Sequence, residues 1–130
     1  MADTLGNVTL TETFDSATSV KKIKAVWASG IGNYNGLAWN TTAEPYDGRV
    51  LMAVTIPGTG TPANAYNIRA YDSDGVDILA SGCLARSNVL TQAVLEASLG
   101  AVSRSKLNIY IQTANVNAAS ANGTAYLYIR

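Results

Sequence analysis

The sequence predicts an all-β, single-domain protein, a β-sandwich or jelly-roll-like fold of about seven to nine antiparallel strands. Two observations predict it. Apolar residues recur every second position along most of the chain, the period of a strand and not of a helix. Between these runs lie Asx-Gly and Pro-Gly pairs, which supply the backbone angles of tight turns. A third observation sets the scale. The 130 residues suit one domain, and 48% apolar against 14% charged content allows a closed core without metals or disulfides.

The elements follow in order. Val8 and Leu10 alternate with Thr9 and Thr11, so residues 1–14 form an N-terminal arm or a first strand, with 15–130 as the sandwich. Ile23, Ala25 and Trp27 then share a face opposite Lys22 and Lys24. Val50, Met52, Val54 and Ile56 alternate with Leu51, Ala53 and Thr55; being apolar on both faces, this strand is expected to be central. Tyr66, Ile68 and Ala70 oppose Asn67, Arg69 and Tyr71, and Leu107, Ile109 and Ile111 oppose Asn108, Tyr110 and Gln112. The last run sets Ala125, Leu127 and Ile129 against Tyr126 and Tyr128. Turns are expected at 30–36, 45–48, 57–62, 72–75 and 122–123. Residues 89–99 break the pattern, and either a short helix or an irregular strand fits them.

Composition excludes several function classes. Nine acidic and nine basic residues cancel, so no clustered charge points to nucleic acid or an anionic membrane. Histidine is absent, which removes the commonest general base and a common metal ligand. The lone Cys83 has no intramolecular disulfide partner and reads as a small buried hydrophobe. The N-terminal residues lack the pattern of a secretion signal, and no stretch nears the roughly 20 apolar residues of a membrane helix. No pair of carboxylates has a spacing that favours acid–base hydrolysis, and a Ser or Cys nucleophile would have no histidine base. The expectation is a non-enzymatic protein without cofactors.

Two groups of residues are candidates for binding. Asp72, Asp74 and Asp77 have the look of a calcium loop, but the bidentate Glu that such a loop needs is missing, so a hairpin turn is favoured. Trp27, Tyr34, Trp39 and Tyr46 fall close together in sequence, and exposed aromatics suit sugar rings and protein interfaces alike. Trp27 is expected in the core because it shares a face with Ile23 and Ala25. Tyr34, Trp39, Tyr46, Tyr126 and Tyr128, with Leu5, Val8 and Leu10 of the arm, are the candidate interface residues.

The second half also carries a resemblance. Tyr66-Asn67-Ile68, Asp72-Ser73-Asp74-Gly75-Val76-Asp77-Ile78-Leu79 and Leu84-Ala85-Arg86-Ser87, with the closing Tyr126-Leu127-Tyr128-Ile129-Arg130, are similar to small virion proteins of tailed bacteriophages. Trp27-Ala28-Ser29-Gly30 and Val54-Thr55-Ile56-Pro57 extend the similarity to about two-thirds of the chain. The resemblance implies a structural protein made in the host cytoplasm and carried on the capsid surface as a decoration, or cement, protein. Its implied partners are the major capsid protein and further copies of itself, a trimer being favoured. A tail or head–tail connector component, or a sandwich that binds carbohydrate or a host surface, are the alternatives.

Overall fold

The computed structural model describes residues 6–30, 37–59, 66–113 and 121–130. Among them are nine antiparallel strands in two sheets, as a β-sandwich requires. The strands are β1 (Asn7–Asp15), β2 (Val20–Ala28), β3 (Leu37–Thr41), β4 (Tyr46–Pro57), β5 (Asn67–Tyr71), β6 (Gln92–Leu95), β7 (Ala101–Ser105), β8 (Asn108–Gln112) and β9 (Asn122–Ile129). The ambiguous 89–99 segment resolves into both readings at once: the short strand β6 runs directly into a 3-10 turn over Glu96–Ser98.

The larger sheet has the order β1-β2-β9-β4-β6, with β7 pairing the N-terminal part of β4 on the edge that β6 pairs further on. The smaller sheet has the order β3-β8-β5. The first strand is paired to β2 along its whole length, from Asn7↔Ala28 to Asp15↔Val20. The last strand, β9, lies between β2 and β4 in the middle of the larger sheet.

Alternation explains the core. Ile23, Ala25 and Trp27 of β2 and Ala125, Leu127 and Ile129 of β9 point inward and meet Ala38, Ile68, Ala70, Ile109 and Ile111 of the smaller sheet. Trp27 is 1% exposed, tilted against Tyr66 at 5.6 Å between ring centroids. Its ring crosses Gly123, its register partner on β9; a Cβ there would sit 2.9 Å from a Trp27 ring carbon. Glycine at 123 therefore makes room for the tryptophan.

In β4 the regular alternation fails. Val50 is buried, but a register shift between Val50 and Met52 turns the strand over. Ala53 and Thr55 consequently face the core, while Met52, Val54 and Ile56 are only partly buried and share the face of Tyr126 and Tyr128. The expected grouping of Val50 with Met52, Val54 and Ile56 is corrected by this bulge.

The 72–79 motif is a turn held by its own Asp72 and Asp77 side chains. Asp72 Oδ1 accepts the N–H groups of Asp74 and Val76, and Gly75 takes the positive φ of 79°. Asp77 accepts from Ala70 and Leu79 at Oδ1 and from Ser81 at Oδ2. Ile78 and Leu79 then enter the core.

Candidate functional site

Each sheet has an outward face, and both carry aromatic residues. On the smaller sheet the register sets Trp39, Tyr110 and Arg69 in one row across β3, β8 and β5, with Thr41, Asn108 and Tyr71 in the next. Because Ala38, Ile68, Ala70, Ile109 and Ile111 point inward, their neighbours in sequence must point outward. Trp39 is 41% exposed and stacks on Tyr110 at 6.0 Å with planes 19° apart. Tyr71 meets the same Tyr110 edge-on at 6.1 Å. Three rings thus form one continuous surface, bordered by Arg69, Asn67 and Gln112.

On the larger sheet Tyr126 and Tyr128 stack at 6.5 Å, two residues apart on the outer face of β9. Lys22 Nζ lies 4.9 Å from the Tyr126 centroid and 5.9 Å from that of Tyr128, and Lys24 Nζ lies 6.0 Å from Tyr126. Across the sheet these rings continue into Met52 and Val54 of β4 and then Leu95 and Ala93 of β6. Leu95 is 65% exposed and Val26 44%. Among the described residues the ion pairs are Lys21–Asp47 and Arg49–Glu96, so neither Lys22 nor Lys24 has a carboxylate partner.

The other candidates fall differently. Tyr46, expected at an interface, is buried, and its hydroxyl donates to Glu12 Oε1 at 2.8 Å. Burial first, then that hydrogen bond to a carboxylate, push its pKa upward. Val8 is buried and Leu10 packs against the core, so neither is free to grip a partner. The reason is pairing: β1 is a full strand of the sheet, which turns these two side chains inward. Leu5 and Tyr34 lie outside the described residues. Asp72 Oδ1 and both oxygens of Asp77 accept backbone N–H groups, and no cluster of three metal-ligating side chains occurs among the described residues.

A shallow cleft of about 230 Å³ is lined by Glu12, Thr13, Phe14, Lys21, Glu44, Pro45 and Tyr46. It holds two acidic side chains, but Glu12 also accepts the Ala43 and Glu44 N–H groups, which commits it to holding this corner in place. Tyr110, Tyr71 and Arg69 were not singled out from the sequence. The available signal was their outward position in alternating strands; that β3 and β5 flank β8 is a tertiary fact.

Cys83 is 1% exposed, and burial pushes its thiol up to about 11 from 9.0. Burial also raises Tyr66. A neutral acid with a raised folded pKa stabilises the fold below its unfolded pKa, and the gain is lost as pH rises through the folded value. Stability is therefore expected to fall between pH 9 and 11, with about 2 kcal/mol of the decline coming from Cys83. Urea titrations across this range check it, and Cys83→Ala should flatten the slope. An unchanged slope in the variant would exclude the thiol as its source.

No family model matches the chain, and no curated protein does. Among solved structures the chain is similar to CBM86, described as a new low-affinity xylan-binding module from the xylanolytic gut symbiont Roseburia intestinalis. The superposition covers 98% of this chain and 95% of that one, with a TM-score of 0.44 and 10% identity, and no residue role is carried across from it.

Proposed function

We propose that this protein is a non-enzymatic structural component of a tailed-phage particle, a decoration protein that docks on the outer capsid surface. The geometric observation that carries the proposal is the outer face of the larger sheet. Tyr126, Tyr128, Met52, Val54 and Leu95 form a broad apolar surface, and Lys22 and Lys24 lie over the tyrosine rings without counter-ions among the described residues. Such a face gains free energy when covered, through apolar burial and through pairing of its cations with carboxylates. The sequence resemblance supplies the particle, with the major capsid protein and further copies of this chain as the occupants. Much of the motif that carries the resemblance builds turns and core, as the tasks of Asp72, Gly75, Asp77, Ile78 and Leu79 illustrate.

The test is binding to undecorated shells by co-sedimentation, with oligomeric mass measured by light scattering. A trimer that sediments with shells supports the proposal; a monomer with no affinity for shells refutes it. Val54→Lys places a charge in the middle of the face without touching the core. It is expected to leave the fold intact and to weaken shell binding by about tenfold or more.

A second reading is favoured by the Trp39–Tyr110–Tyr71 surface. Exposed stacked rings bordered by amide side chains suit the flat faces of saccharides, so this sheet would display a glycan-binding surface. The two readings are compatible, because they use opposite faces of the sandwich.

A further inference from the structure

We infer that the smaller sheet binds a saccharide bearing a carboxylate, with Arg69 as the group that selects the acid. The inference rests on the glycan-binding reading and narrows its ligand class. Arg69 stands in the same row as Trp39 and Tyr110, on the same outward face. Neighbouring strands lie about 4.8 Å apart, so Trp39 and Arg69 are separated by roughly 10 Å along the row, the span of two sugar rings. One pyranose can stack on Trp39 while the next presents its substituents to Arg69.

The guanidinium is a cation on the strand that borders the three rings. Among the described residues no carboxylate pairs with Arg69, whereas Lys21 and Arg49 each have one. Of the acids that follow it in the chain, Asp72 accepts the N–H groups of residues 74 and 76 at Oδ1 and Asp77 those of residues 70, 79 and 81, and among the described residues none of Asp72, Asp74 and Asp77 forms an ion pair with Arg69. Asn67, the next outward residue on β5, has its oxygen occupied by the Ala85 N–H, which leaves the amide N–H groups to donate. Beside its rings this face therefore offers the Arg69 guanidinium and the Asn67 amide N–H groups as donors. A guanidinium keeps its charge at every working pH and presents a planar fork that fits a carboxylate. A neutral sugar would leave that fork unused.

The wild-type chain is to be titrated with polygalacturonate, alginate and hyaluronan, and with neutral xylan for comparison, using calorimetry and tryptophan fluorescence. Trp39 is the exposed indole and Trp27 the buried one, so an optical change reports the proposed surface. At least one uronate chain should bind, more weakly as salt rises. Arg69→Gln should weaken it about tenfold, and Arg69→Lys should recover part of the loss. Trp39→Ala should abolish the calorimetric signal. Xylan bound as tightly as every uronate chain, with Arg69→Gln without effect, would overturn the acidic assignment and leave ring stacking standing. No heat with any of the four polymers would overturn the assignment and the glycan reading together.

Discussion

Trp27→Ala is expected to cost about 4 kcal/mol, the largest single loss available in this fold, because it empties the centre of the core. The indole lies between Tyr66 and the backbone of Gly123. Trp27→Phe should cost far less, about 1 kcal/mol, since it keeps most of the ring and removes an indole N–H that has no partner among the described residues. Urea unfolding of the two variants checks both values. Equal losses would mean that the N–H, and not the ring volume, matters at this position. The same packing predicts that Gly123→Ala destabilises by about 2 kcal/mol, through overlap with the Ile56 carbonyl oxygen at 2.8 Å and with the Trp27 ring at 2.9 Å.

Asp77→Ala is expected to cost about 3 kcal/mol, through a different mechanism. The carboxylate accepts three backbone N–H groups, those of Ala70, Leu79 and Ser81, at 3.0 to 3.2 Å. Ala80 and Ser81 follow with φ of 50° and 62°, a region that non-glycine residues enter at a cost. The carboxylate offsets that cost by fixing the loop from both sides, and Ile78 and Leu79 are thereby delivered to the core. Asp77→Asn keeps the oxygen toward Ala70 and Leu79 and should lose only about 1 kcal/mol. A loss below 1 kcal/mol for the alanine variant, measured by the same unfolding curves, would show that the loop holds without its acceptor.

The two variants mark how much was legible in the residues alone. Trp27 was placed in the core because alternation ties it to Ile23 and Ala25, and the structure places it there. Tyr126 and Tyr128 were placed outward by the same argument, and they lie on the outer face. Tyr46 is buried where the sequence suggests an interface, because its position precedes the regular part of β4 and its hydroxyl meets Glu12, more than thirty residues earlier in the chain. Pattern does not assign Trp39: its short strand sets Leu37 and Ala38 before it and the polar Asn40 and Thr41 after it, too few alternations to fix a face, and its exposure is decided by the strand that pairs with it.

What the sequence determined by itself is the fold class, the inward and outward faces of most strands, and the absence of histidine-based chemistry. Those properties follow from a two-residue period and from composition, both of which are local or global sums over the chain. Only the tertiary structure decided that the last strand lies in the middle of the larger sheet, that a bulge between Val50 and Met52 turns over the second half of β4, and that Trp39, Tyr110, Arg69 and Tyr71 share one surface. Each of these depends on pairing between strands far apart in the chain. A period of two tells each residue which way to face, but it does not name the strand that will lie beside it.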